Sequence, residues 1–299
     1  MKQSSVANFF KFIQKWLYKN STILITLLSI VFLVLLAILF YLYRSRERRR
    51  HTEPFQSFSI VNLVLYSKDA EYDEMYKITR KYYSQFHNVR TIYYRFNPDI
   101  TTDYELIGDV LNIKGKETYV PGILDKTVKA FEYVNQHFSF DYLVRSNIST
   151  IINFDLLCEE LQKTPIQYGA GTKMVLNWLD QPSGIVDKTY FGTNYGSGTS
   201  IILSNEALTK FLSKKAFIHY NLIDDVSIGV LFEEQIKDIK ISVTDSKYFY
   251  SVPDVNGDPK KLLPLIKDKP YNYYRNRQSS RKIDIKQMKI IADYLQNKK

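Results

Sequence analysis

The sequence predicts an α/β fold, an open and mostly parallel sheet flanked by helices, with one transmembrane helix ahead of it. Three observations predict it. An uncharged apolar stretch, Asn20 to Tyr43, lies near the N-terminus. Beyond it, near-continuous apolar runs that end in small polar residues alternate with segments whose apolar residues recur every three or four positions, the pattern of buried parallel strands and covering helices. No later apolar run is long enough to cross a bilayer.

Taken in order, residues 1–19 form an N-terminal tail whose "NFFKFIQKWLYKN" spaces aromatic residues as an interfacial helix or a plain juxtamembrane tail would. Residues 20–43, "NSTILITLLSIVFLVLLAILFYLY", carry no charge between Lys19 and Arg44. At about 1.5 Å per helical residue they can cross a hydrocarbon core of roughly 30 Å. The Tyr-Leu-Tyr-Arg exit offers no small-residue cleavage site, so an uncleaved anchor is expected. Four lysines precede this span and five arginines follow it, which leaves its orientation open. Residues 44–57 read as a short basic stem, and 58–299 as the folded domain.

Charge is distributed unevenly. The formal net charge is +10, but nine Lys and Arg against one acid fall before residue 51, leaving 32 bases and 30 acids for the rest. The domain is therefore almost neutral, which argues against a nucleic-acid partner and for a lipid membrane at the basic end. The only cysteine, Cys158, excludes an internal disulfide and sits in an apolar helix as core filler. The four histidines, 51, 87, 137 and 219, are scattered and make no metal pattern.

Within the domain, Ser59–Ser67 reads as a buried strand, "DAEYDEMYKITRKYYSQF" as a helix and "VRTIYYRFN" as a second strand. The stretch from "ELIG" is polar and contains glycine, hence a loop. From Ile123 to Val134 apolar spacing gives an amphipathic helix with Lys126 and Lys129 on or near its polar side. "FDYLVR" is a central strand whose carboxyl end meets the polar cluster Ser146-Asn147-Ile148-Ser149-Thr150, and "NFDLLCEELQ" starts a helix with Asn153 at its N-cap. "YFGTNYGSGTSIILSNEALTKFL" is a Gly-rich loop, a short strand and a helix capped by Ser204. "YNLIDDVSIGVLFEE" sets Asp224 and Asp225 before an apolar helix, and "YNYYRNRQSSRKIDIKQMKIIADYL" runs from a basic strand or loop into a final amphipathic helix. A strand that ends abruptly in small polar residues often delivers them to a ligand, beyond the carboxyl ends of an open sheet.

Three pieces in this order resemble the fringe and β1,3-galactosyltransferase type of inverting glycosyltransferase. They are the strand ending in the polar cluster, "GSGTSIILSNEAL" with Gly198-Thr199-Ser200 through Leu203-Ser204, and "IDDVSIG" with Asp224-Asp225-Val226 and Gly229. Lys126-Thr127 also stands where that family often has Lys-Thr. The resemblance covers roughly Ser59 to Leu231, more weakly the tail, and an N-terminal anchor with a stem accompanies it.

The resemblance implies a GT-A-type sheet and transfer of a sugar from a nucleotide-sugar donor to a glycan or glycoprotein hydroxyl, at a Golgi/ER-type or virion membrane. By family position Asp225 takes the acceptor proton, with Asp224 orienting the acceptor or tuning its neighbour. Arg145, Ser146, Asn147, Ser149, Lys126 and Arg275 are the donor-binding candidates, joined by Arg277. Gly196, Gly198 and Thr199 belong to the acceptor-side loop. The family carries Asp-x-Asp and a late His for manganese, whereas this chain has Asn147-Ile148-Ser149 and Tyr273-Tyr274-Arg275. Neutral oxygens are poor ligands for a divalent ion, so no metal ligand is assigned, manganese lacks its usual ligands, and fixed positive charge is expected in its place. The Arg-Ser-Asn-x-Ser-Thr pattern is similar to one used by a divergent viral and microbial branch.

Bland alternatives stand beside these roles. Arg145 can be a salt bridge of the sheet, and Asp224-Asp225 an acidic pair favoured by a helix N-terminus. For the whole chain, the alternative from another class is a catalytically silent module of the same fold that binds glycans or acts at a membrane or virion surface.

Overall fold

The computed structural model describes residues 11, 16, 57–243, 249–267 and 271–297. The chain divides into two compact units, 1–55 and 56–299. Of the first, only Lys11 and Trp16 are described, both helical and exposed. The anchor expected over 20–43 and the stem expected over 44–57 lie outside the described residues except for Ser57, which begins the first strand of the domain, and among those described no helix is long and apolar enough to cross a membrane.

The second unit is a mixed α/β domain with a large, mostly parallel sheet flanked by helices. β1 (Ser57–Leu65) leads to α1 (Ala70–Tyr83), whose N-cap Asp69 accepts the Glu71 N–H, and then to β2 (Val89–Asn97). Ile60, Val61, Leu63 and Val64 are all buried, because β1 has cover on both faces, which is why its sequence is apolar without alternation.

The stretch expected to be a loop is instead a hairpin, β3 (Tyr104–Ile107) and β4 (Val110–Lys114). Ile107 pairs with Val110 across Gly108-Asp109, and Gly108 has φ +65°, the conformation that two-residue hairpin turns recruit glycine for. Polar residues alternate with apolar ones there because β3 is the edge strand.

α2 (Gly122–His137) precedes β5 (Ser139–Asn147), which runs two residues further than apolarity alone indicated. β6 (Thr150–Ile152) and α3 (Phe154–Lys163) follow. Asn153 occupies the N-cap position of α3, but its side chain makes no capping bond. Short strands β7 (Tyr168–Ala170), β8 (Lys173–Val175), β9 (Asn194–Gly196) and β10 (Ser200–Ser204) lead to α4 (Asn205–Ser213), where Ser204 Oγ accepts the Ala207 N–H at 3.1 Å as expected. α5 (Asp224–Gln235), β11 (Ile241–Val243), β12 (Phe249–Ser251), α6 (Pro259–Lys267), β13 (Tyr273–Arg275) and α7 (Arg281–Gln296) complete the domain.

The eight-stranded sheet has the order β11-β7-β10-β5-β1-β2-β4-β3. Strands β5, β1, β2 and β4 are mutually parallel, and β10 runs antiparallel between β5 and β7. One core fills the face covered by α1, α3, α6 and α7, with Met75, Phe154, Leu262 and Met288 among its buried residues. The other lies under α2, α4 and α5, around Phe131, Phe211 and Phe232. Each such side chain contributes roughly 1.5–3 kcal/mol on burial. A second sheet, β12-β13-β6, stands beside the first.

Candidate active site

The parallel register brings the carboxyl ends of β1, β2 and β5 together, with Leu65 opposite both Tyr94 and Asn147. That edge is where an open α/β sheet presents its loops to ligands. The polar cluster is divided here by the pleat. Arg145 and Asn147 share one face of β5, and Arg145 Nη1 donates to Asn147 Oδ1 at 3.0 Å. Ser146 points to the other face, is fully buried, and reaches Asn62 Oδ1 at 3.5 Å, so it does not join them.

Arg145 is 1 % exposed and occupied within the protein. Its Nη2 forms an ion pair with Asp224 Oδ2, its Nη1 donates to the Gly198 carbonyl, and its Nε donates to Tyr94 OH at 3.3 Å. Tyr94 OH in turn shares a hydrogen bond of 2.9 Å with Thr127 Oγ1 from α2. Burial alone would discharge Arg145, but Asp224 beside it, with Tyr94 and Asp225, holds its pKa above the ordinary value. The salt-bridge alternative for Arg145 is therefore present, with Asp224, itself buried, as the partner.

Asp224 and Asp225 open α5, where the helix dipole favours negative charge. Their side chains diverge. Asp224 faces Arg145, while Asp225 Oδ2 accepts the Gly198 N–H and Oδ1 the Val226 N–H, both at 2.9 Å. Burial, then the adjacent Asp224 carboxylate, pushes the Asp225 pKa up to about 6, against the lowering pull of the Gly198 N–H and Arg145. Gly198 is thus the link between the strand end and the acidic pair. A Cβ there would lie 2.8 Å from Arg145 Nη1 and 3.3 Å from Asp225 Oδ2.

The other loop candidates stand apart from this link. Thr199 Oγ1 donates to Ser197 Oγ at 3.2 Å. Gly196 is a packing glycine: its N–H donates to Tyr168 OH at 3.1 Å, and a Cβ would press on Ala170 at 2.7 Å.

Lys126 departs from the expected polar side of α2. It is 1 % exposed, and its Nζ donates to Glu117 Oε2 at 2.6 Å, Tyr66 O at 3.1 Å and Ser67 Oγ at 3.3 Å. Burial lowers its pKa, opposed by Glu117. All three donors of the ammonium are in use, so Lys126 fixes the segment that follows β1.

On the other side of the strand end, β13 lies antiparallel to β6 with Arg275 opposite Thr150. Arg275 Nη1 donates to Ser149 Oγ at 2.6 Å and Thr150 Oγ1 at 3.4 Å. Burial, followed by Arg281 and Arg277, pushes its pKa down to about 10. Arg281 is paired with Asp284 at 2.8 Å, and Arg277 is exposed. Sequence reasoning missed Tyr94, Glu117 and the linking role of Gly198; Tyr94 and Gly198 act through partners distant in the chain, and Glu117 through Lys126 on the following helix.

A manganese ion does not fit the strand end. Asn147 Oδ1 accepts from one guanidinium and Ser149 Oγ from another, so the oxygens that would ligate a cation are neutral and flanked by positive charge. Among the described residues no group of three or more His, Cys, Asp or Glu converges.

No family model matches the chain, and no curated protein matches it. Among solved structures, the chain is similar to a glycosyltransferase involved in glycosylation of the major capsid of PBCV-1, at 12% identity and TM-score 0.44 over 77% of this chain and 98% of that one. It is also similar to the glycosyltransferase GlyE of Streptococcus pneumoniae TIGR4, at 14% identity and TM-score 0.40, over 81% of this chain and 63% of that one. A third is the galactosyltransferase LgtC in complex with donor and acceptor sugar analogues, at 10% identity and TM-score 0.36, over 73% of this chain and 87% of that one. Overlap this partial leaves the chemistry to be argued from the side chains.

Proposed function

We propose that the chain is an inverting glycosyltransferase that moves a sugar from a nucleotide-sugar donor to a hydroxyl of a glycan or glycoprotein, without a bound metal. The observation that carries the reading is the Asp225 carboxylate. It is held by the Gly198 N–H and by its own helix, and its pKa of about 6 makes it charged at neutral pH yet a stronger proton acceptor than an ordinary aspartate.

In this reading Asp225 accepts the proton of the acceptor hydroxyl as that oxygen attacks the anomeric carbon. The bond to the nucleoside diphosphate breaks on the opposite face, which inverts the configuration. Negative charge on the leaving diphosphate is met by the Arg275 guanidinium and the hydroxyl donors beside it, the part a metal would otherwise play. Arg145 is a positioning residue, since it acts on Asp225 through Gly198, while Asp224 holds Arg145 and its carboxylate raises the pKa of its neighbour Asp225. The anchor over 20–43, the stem, and work at a Golgi/ER-type or virion membrane belong to the same proposal.

The test is donor binding and donor hydrolysis by the full chain over UDP- and GDP-sugars, with manganese and with EDTA. Activity that survives EDTA is the expected result. Neither binding nor turnover in either condition would overturn the proposal and favour the silent interaction module.

A further inference from the structure

A cavity of about 650 Å³ opens at the amino-terminal edge of β1 and β5, the end of these strands opposite Arg145 and Asn147. Its size falls among clefts that hold small molecules, roughly 300–1,000 Å³. Nothing in the proposed sugar transfer uses it.

The lining has two characters. Ile60, Leu161 and Ile166, with Tyr142, supply an apolar floor. Asp141, Gln162 and Asn205 stand on the rim, exposed, with no side-chain hydrogen bond or ion pair to any described residue. Among the described residues no lysine, arginine or histidine lines the cavity, and its carboxylates are those of Asp141, which has no ion pair to any described residue, and Glu206, which is ion-paired with Lys210 at 2.9 Å. A phosphate, nucleotide or carboxylate ligand would find no cation among the described lining residues and would be repelled by Asp141.

What fits is an uncharged molecule with one apolar face and an edge of groups that both donate and accept. A pyranose ring has these features: its C–H face can lie on aromatic and aliphatic carbon, while its hydroxyls match side-chain amides, which donate and accept, and a carboxylate, which accepts. We infer that this cavity is a second, non-catalytic site for a sugar ring of an uncharged oligosaccharide. The site is independent of Asp225 and can be present whether or not the chain transfers sugar.

The chain carries its own reporter. Cys158, its single cysteine, lines the cavity and is partly buried, with burial holding its thiol pKa up. An occupant of the cavity therefore slows alkylation of this one thiol.

The experiment measures the rate of Cys158 modification by iodoacetamide on the full chain, in a detergent without a sugar headgroup. Lactose, chitobiose, mannobiose and xylobiose are titrated as probes, with sorbitol and UDP as controls. Saturable protection by at least one disaccharide, and none by sorbitol or UDP, is expected. Gln162→Ala and Asp141→Ala should each raise the half-protecting concentration about tenfold, whereas Asp225→Asn should leave it unchanged. No protection beyond that of sorbitol from any disaccharide, or protection indifferent to both rim variants, would overturn the inference. Protection in a chain that binds no nucleotide sugar would uphold the second site and reject the transferase reading.

Discussion

Gly198 donates its backbone N–H to Asp225 Oδ2 at 2.9 Å while its carbonyl accepts from Arg145, so one residue of the β9–β10 loop sets the distance between a strand end and a helix start. Arg145 cannot withdraw from an added Cβ, because Tyr94, Asn147 and Asp224 hold its guanidinium on the remaining sides. Gly198→Ala should therefore act on Asp225 more than on the fold. We expect a loss of stability of about 1–2 kcal/mol and a fall in transfer rate of about 100-fold or more. Urea unfolding and turnover measured on the same preparation check it; equal loss of both would contradict it.

Asp225 predicts a pH profile. With its pKa near 6, the basic form is lost as pH falls, so the transfer rate should rise with pH around a midpoint near 6. The stability effect has the opposite sign from that of a salt-bridged aspartate. A carboxyl whose folded pKa is raised above about 3.9 binds more protons in the folded state, so its contribution to stability falls as pH rises from about 4 to 6 and is flat beyond. The difference in unfolding free energy between wild type and Asp225→Asn should track that window. The same variant should abolish transfer, by about 1,000-fold or more, while nucleotide-sugar binding persists; retained turnover would remove Asp225 from the role of base.

How far the sequence could be read depended on the range of the interaction. Val89–Asn97 was legible as a strand and Ser204 as a cap, because apolar pattern and capping chemistry act within a few residues. The hairpin at 104–114 was not, since the edge strand β3 carries Glu105 among its apolar residues and β4 beside it buries Asn112, so the stretch reads as polar overall. Helical spacing put Lys126 on or near the polar side of its helix, but Tyr66, sixty positions away, supplies a carbonyl that helps to hold it inside. Ser146 could have been set apart from Arg145 by the two-residue period of a strand, given that both lie in β5. The pairing of Arg145 with Asp224 carries no local signal at all, as the two meet only after β10 and α5 have packed.

That pairing is costly to break from one side. Asp224→Ala leaves a fully buried guanidinium without its carboxylate, a change worth about 3–5 kcal/mol of stability. Replacing both members with apolar residues of similar size, Arg145→Met with Asp224→Leu, should recover much of that loss, because the desolvation of two charges is removed together. Urea midpoints of the wild type, the single and the double variants measure this. A double variant as unstable as Asp224→Ala would mean that the site depends on the charges themselves.

Arg275 carries the prediction about metal. Burial and the neighbouring Arg281 and Arg277 lower its pKa to about 10, so it stays charged at neutral pH in surroundings that disfavour the charge. Its partners are the hydroxyls of Ser149 and Thr150, and no carboxylate of a described residue is in ion-pair contact with it. Uncompensated positive charge at the end of β5 is what an anionic diphosphate would neutralise. Arg275→Ala should weaken nucleoside-diphosphate binding about 10–100-fold, or roughly 1.4–2.8 kcal/mol, in calorimetry carried out with EDTA. Arg275→Lys should restore part of it, since lysine keeps the charge without the planar fork. The charge itself does not stabilise the fold, because a cation whose folded pKa is depressed opposes folding when charged, so any loss of stability in the alanine variant comes from packing and from the Ser149 and Thr150 hydrogen bonds it gives up. Binding that vanishes in EDTA, or that survives unchanged in Arg275→Ala, would show that the diphosphate is met by something other than this guanidinium.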